Sequence, residues 1–135
     1  MAKPDGTLTE DQFQIMQILW DAGNEGCSAA EIWEHIAQTR NVGRTTILKQ
    51  IQRLESRGWL RRKERTGVAC YVTAIDRDIT SRMLAGNFVN GYFDGSLSDL
   101  VMSLLGSRKV KAAEVRRLRE LLDDHSRQSS AGRKP

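Results

Sequence analysis

A mainly α-helical chain carrying one short β-hairpin is the fold class this sequence predicts, and three features predict it. Two S/T-x-x-E/Q starts, at Thr9 and Ser28, each precede an apolar run with helical spacing. A further run repeats apolar residues at Ile47, Ile51 and Leu54, the i, i+4, i+7 pattern of one helix face, before Gly58. Immediately afterwards the period changes, with β-branched and aromatic residues on both sides of Arg65-Thr66-Gly67.

The first helix lies in "LTEDQFQIMQILWDAG". Thr9 is its N-cap, Gln12 completes a capping box, and Gly23 stops it. Phe13, Ile15, Met16, Ile18, Leu19 and Trp20 give it a broad apolar face. The second helix repeats the device in "CSAAEIWEHIAQT": Ser28 caps, Glu31 closes the box, and Ile32, Trp33 and Ile36 form the buried stripe. In the third, "RTTILKQIQRLESRG", the stripe leaves Thr45, Thr46, Lys49, Gln52 and Arg53 outside it, and Leu48 is either a contact for a thymine methyl or, the favoured reading, a peripheral core leucine. "WLRRKERTGVACYVT" then supplies two strands and a Gly-containing turn. Three helices followed by a hairpin describe a winged helix-turn-helix.

Charge is divided sharply along this part of the chain. Residues 1–39 hold one cation against seven anions, whereas residues 40–65 hold nine cations against Glu55 and Glu64. A solvated helix face interleaves both signs, so the segregation is the electrostatic footprint of a face that meets a polyanion. A helix fits the major groove of double-stranded DNA, and Thr45, Thr46, Lys49 and Arg53 on the third helix are the residues expected to carry recognition, with Arg44 beside them. Hydroxyls and cations also bind phosphates, and the sequence does not sort the two roles. Arg61, Arg62, Lys63 and Arg65 on the hairpin are expected to meet backbone phosphates or the flanking minor groove.

From Arg77 onward the chain reads as three more helices, broken at Asp94-Gly95 with Ser96 as a cap and again near Gly106 to Lys109. Their apolar residues include Phe88, Tyr92 and Phe93, then Leu97, Leu100, Val101, Leu104 and Leu105, then Leu118, Leu121 and Leu122. Three short helices cannot hide that much apolar surface among themselves. A second copy of the chain, or packing onto the winged helix, must cover it, and the homodimer is the expectation. The predicted organisation is a DNA-binding winged helix-turn-helix over residues 1–76, a helical dimerisation domain over 77–126, and a disordered polar tail over 127–135.

Four segments in this order, "LTEDQFQIMQILWDAG", "TTILKQIQRLESRGWL", "CYVT" and "FVNGYFDGSLSDLV", resemble the penicillinase-repressor (BlaI/MecI/CopY) family of bacterial transcriptional regulators. The resemblance covers roughly residues 7 to 125. It implies an N-terminal winged helix that reads operator DNA and a C-terminal helical region that dimerises. In the β-lactam-responsive members a membrane sensor's signal leads to proteolysis at an Asn-Phe bond, in the segment that aligns with "LVMSLLGS". The matching pair here is Ser103-Leu104, so the bond itself is not kept, and a sensor-dependent protease is the further partner the resemblance implies. The copper-responsive branch carries a C-terminal cysteine motif that is absent here.

Other chemistry finds little support. His35 and His125 are solitary, no Cys/His/Asp cluster has metal-ligand spacing, and there is no Gly-rich phosphate loop, so no metal, cofactor or catalysis is expected. No apolar run approaches 18 residues and the N-terminus has no signal-peptide segment, which points to a cytoplasmic protein without a membrane partner. Three function classes fit these residues. The expected one is a dimeric operator-binding repressor. The others are a winged-helix regulator that senses a small molecule or thiol oxidation through Cys27 or Cys70, and a winged helix used as a protein-interaction module.

Overall fold

The computed structural model describes Pro4 and residues 6–132. Helix α1 (Glu10–Ala22) opens on the expected capping box: the Gln12 amide donates to the Thr9 hydroxyl and the Thr9 amide to Gln12 Oε1, both at 3.1 Å. Gly23, at φ +66°, ends it in a conformation that disfavours a side chain. After a single 3₁₀ turn, α2 (Ala29–Ala37) starts on the second box, with Ser28 and Glu31 exchanging bonds of 3.0 and 3.2 Å. Helix α3 (Arg44–Ser56) begins at Gly43 without a side-chain cap and closes at Arg57 and Gly58. Ile15, Met16 and Leu19 of α1, Ile32 and Ile36 of α2, and Ile47, Ile51 and Leu54 of α3 meet in one core. Trp59, Leu60 and Tyr71 close it from the hairpin side.

The hairpin consists of β2 (Leu60–Arg65) and β3 (Val68–Thr73), antiparallel, with Arg65 opposite Val68 and Arg62 opposite Tyr71. Thr66 and Gly67 both have positive φ, +46° and +79°, as a two-residue turn matched to strand twist requires. A third strand, β1 (Cys27–Ser28), joins the far edge of β3, giving the order β1-β3-β2. Gly26 makes this approach possible, because a Cβ there would lie 2.4 Å from the Tyr71 carbonyl oxygen. The architecture is a winged helix-turn-helix followed by three more helices.

Helix α4 (Arg77–Tyr92) is capped by Asp76, whose carboxylate accepts from the Ile79 amide at 2.7 Å. Helices α5 (Leu97–Ser107) and α6 (Ala112–Gly132) follow. The chain divides into two units, one reaching to Phe88 and the other starting at Val89, so the division falls inside α4, twelve residues beyond the boundary expected at Arg77. The helical start at Arg77 is correct. Trp20 explains why the first unit takes in most of α4: its ring nitrogen donates to the Ile75 carbonyl at 2.9 Å, and Arg77 both stacks on its ring and pairs with Asp21 at 2.7 Å.

The C-terminal unit has Ser96 as the α5 cap, as expected, with the Asp99 amide donating to its hydroxyl at 3.1 Å. The tail expected to be disordered from residue 127 is helical as far as Gly132, and residues 133–135 lie outside the described ones. A polar stretch continues a helix when no proline or glycine interrupts it, and the first such residue here is Gly132. From residue 89 to 129 no side chain is buried: Tyr92 is 81% exposed, Met102 68% and Leu122 60%.

Candidate nucleic-acid interface

Helix α3 turns its apolar stripe of Ile47, Ile51 and Leu54 into the core, so residues about 180° away on the 100°-per-residue helix point outward. Thr45, Lys49, Gln52 and Ser56 occupy that direction, with Thr46 and Arg53 along one side; all are exposed. Leu48 is exposed as well, at 39%, and is not the core leucine expected. Two contacts fix how the helix begins. The Trp33 ring nitrogen donates to the Val42 carbonyl at 2.7 Å, fastening the link from α2, and the Arg44 guanidinium lies 4.5 Å above the Trp33 ring. Such a cation–π contact holds the charge at the mouth of α3 without neutralising it.

Besides Arg44, the cations of residues 40–65 separate into three sets by their partners. Arg40 pairs with Asp11 at 3.2 Å and donates to Gln14 at 2.8 Å, and Arg57 donates to the Thr7 carbonyl at 2.6 Å, so both serve the α1 side of the core. On the wing, Arg62 pairs with Glu55 at 3.0 Å and lies over the Tyr71 ring, Lys63 donates to the Asn24 carbonyl, and Arg65 pairs with Glu31 at 2.6 Å. Glu55 and Tyr71 raise the Arg62 guanidinium, and Glu31 raises that of Arg65. Glu31 is itself lowered, first by the Ser28 amide and further by Arg65. The side chains of Lys49, Arg53 and Arg61 have no hydrogen bond or ion pair among the described residues.

The hairpin does not bring its four cations together. Side chains alternate along a strand. Arg62 therefore faces Glu55 of α3, while Arg61 and Lys63 lie on the other side, lining a cleft with Trp20, Asn24 and Val72. Gln52 is the residue the site assignment omitted. It sits seven residues from Thr45 on the outward face, and its amide is one of the two side chains that pair bidentately with adenine. That spacing was its one signal in the sequence.

The cysteines sit behind this surface. Cys27 lies opposite Tyr71 and Cys70 opposite Ser28, on successive rungs of the sheet. Cys70 is fully buried, and burial, then the Glu31 carboxylate, push the Cys27 thiol up. Among the described residues no group of three or more His, Cys, Asp or Glu is placed to hold a metal ion, and no helix is long and apolar enough to cross a membrane.

A family model described as penicillinase repressor matches residues 8–124. The chain is similar to the penicillinase repressor of Staphylococcus aureus, 26% identical over 127 residues that cover 94% of this chain and 99% of that one. It is 20% identical to the penicillinase repressor of Bacillus licheniformis over 118 residues, 87% of this chain and 91% of the relative. With the methicillin resistance regulatory protein MecI of Mammaliicoccus sciuri it shares 24% identity over 116 residues, 86% and 93% of the two chains.

Proposed function

The chain belongs to the penicillinase-repressor family, and from that premise we propose that it is a homodimeric transcriptional repressor that holds an inverted-repeat operator in double-stranded DNA. The observation that carries the reading is the outward face of α3. Thr45, Thr46, Lys49 and Arg53 stand exposed there, and neither cation has a partner among the described residues. A cation left without a carboxylate on a helix of groove-filling size is free to meet a base edge or a phosphate. Arg44 reaches phosphate at the start of the helix, where the amides of the first turn point the same way and no acidic residue competes. Arg61 adds a phosphate contact from the wing. Arg62, Lys63 and Arg65 join only by exchanging their present partners for phosphate oxygens.

Dimerisation rests on the C-terminal unit together with Phe88, the last residue of the first. Phe88, Tyr92, Phe93, Leu97, Leu100, Val101, Leu104 and Leu105, with Leu118, Leu121 and Leu122, are half-buried or exposed, and α5 and α6, with no buried side chain among the described residues, need a partner surface. Repression then ends when the dimer is lost, because operator occupancy falls with dimer concentration. A cut at Ser103-Leu104 by a sensor-dependent protease would detach α6. That bond lies within α5, so cleavage requires local opening of the helix. The raised Cys27 thiol and the buried Cys70 favour this reading over thiol sensing. A repressor of this kind works in the cytoplasm, where its DNA is.

Titration of an inverted repeat, with half-sites about 10 base pairs or a multiple apart, against a single half-site tests the proposal. Tighter binding to the repeat, falling steeply with salt, is expected. A monomer at micromolar concentration, or equal affinity for the half-site, would refute it.

A further inference from the structure

Helix α3 carries two glutamines in opposite situations. The Gln50 amide is tied inward, its Oε1 accepting from Gln12 Nε2 at 2.9 Å, and Gln12 is itself buried. Gln52 is exposed, and its amide has no hydrogen-bond partner among the described residues. Four residues earlier stands Leu48, exposed as well. At 100° and 1.5 Å per residue the two differ by about 40° in direction and about 6 Å along the axis, so they adjoin on the surface of the helix.

The outward face of α3 therefore has two unlike edges. Lys49 and Arg53 lie toward one of them. Leu48 and Gln52 lie toward the other, the edge of Glu55, which meets Arg62 of the wing. A lone exposed leucine or glutamine is ordinary on a protein surface. Side by side on a helix of groove-filling size, they match the chemistry of one kind of base pair. Adenine presents an acceptor at N7 and a donor at N6, which a glutamine amide pairs bidentately, and thymine adds a methyl that takes an apolar contact. Guanine presents two acceptors, which suit the cations of the opposite edge, and a G·C pair has no methyl in the major groove. Phosphate is the poorer match, because leucine offers it nothing and a neutral amide binds it less strongly than the lysine and arginine beside it.

We infer that Gln52 and Leu48 form an A·T-reading edge of α3: Gln52 Nε2 donates to adenine N7 while its Oε1 accepts from N6, and Leu48 packs on the methyl of a thymine no more than two base pairs away. The inference rests on the operator-binding reading and adds which bases the wing-side edge selects. The spacing fits, since about 6 Å along the helix covers one to two base-pair rises of about 3.4 Å.

The test first selects the preferred inverted repeat of the full chain from a random duplex pool, then alters one half-site a base at a time. Replacing an adenine by 7-deazaadenine removes N7 and keeps the Watson–Crick pairing, and replacing a thymine by uracil removes the methyl alone. At one adenine the unsubstituted chain should bind about tenfold more weakly, and Gln52→Ala, already weakened, should be indifferent to that replacement. At a thymine within two base pairs of it, uracil should cost about fourfold, and Leu48→Ala should be indifferent to it. Gln52→Glu should move the preference at the first pair from adenine to cytosine, whose N4 donates to a carboxylate. Alanine suits an exposed helical position, so the variants keep the fold, which circular dichroism checks. The inference is overturned by a Gln52→Ala chain that loses as much to 7-deazaadenine as the unsubstituted one, by a Leu48→Ala chain that still loses to uracil, or by a Gln52→Glu chain that keeps the adenine preference. If Lys49→Ala meanwhile narrows the gap between the selected and random duplexes, the operator reading stands without it. If the unsubstituted chain selects no sequence from the pool, both fall.

Discussion

Replacing Leu121 and Leu122 together with alanine tests whether α6 is a dimer element, and the size of the effect follows from exposure. Each substitution removes three carbons, worth about 0.8 kcal/mol apiece when wholly buried. The two leucines are 47% and 60% exposed, so a second chain has roughly half of each left to cover. That is about 1.2 kcal/mol per leucine, and a two-fold interface counts every residue twice. The dimer should weaken by about 5 kcal/mol, roughly three to four orders of magnitude in its dissociation constant. Sedimentation equilibrium across a concentration series reads this directly, and the operator titration should lose cooperativity at the same concentrations. Circular dichroism controls for helix content. A shift of less than about tenfold, with helices intact, would show that this face of α6 is not covered by a partner.

Three further outcomes are expected. Arg53→Ala or Lys49→Ala should cost about 1 to 3 kcal/mol on the operator and narrow the gap between operator and random duplex, whereas Arg61→Ala should weaken both alike; equal losses from the α3 variants on both duplexes would assign that helix to phosphate contact. Glu31 is lowered by the Ser28 amide and by Arg65, so the stability it supplies is complete above the ordinary carboxylate range near 4.3 and disappears as pH falls below it. The melting-temperature difference between the chain and Glu31→Gln should therefore be constant from pH 7 to about 5 and shrink toward pH 3, and a difference as large at pH 3 would contradict the assignment. Cys27, pushed up by burial and by Glu31, should react with an alkylating reagent more slowly than an exposed thiol, and oxidant should leave operator binding unchanged; loss of binding on mild oxidation would revive the thiol-sensing class.

What the sequence made legible is what short-range chemistry decides. Both capping boxes could be read because donor and acceptor lie three residues apart, at Thr9 with Gln12 and at Ser28 with Glu31. The hairpin could be read because Thr66-Gly67 suits a turn that needs two positive φ values. Strand β1 could not: two residues carry no period, and Cys27 and Ser28 are a strand only because β3, more than forty residues later, pairs with them. The limits of the two units were hidden for the same reason, since the bond from Trp20 to Ile75 spans 55 positions. Helix α6 outran its expected end because hydrophobic period reports burial, and an exposed helix has no need of it.

The same distinction explains how the acidic first third of the chain bears on the interface. Counted along the sequence, its carboxylates look like a separate surface. In the fold, Asp11 reaches Arg40, Glu31 reaches Arg65 and Asp21 reaches Arg77, each across more than twenty-five residues. These pairs are partly exposed and therefore weak and screened by salt, and a phosphate chain can displace any one of them. The acidic block thus acts as a set of internal counter-ions. It holds Arg65 in the free protein, as Glu55 holds Arg62, while Lys49, Arg53 and Arg61 stay open. A wing cation that moves to phosphate leaves a carboxylate behind, so its net gain is smaller than that of a cation with nothing to surrender. On the operator-binding proposal, discrimination between sequences is therefore expected to rest on α3, with the wing adding affinity that varies with salt.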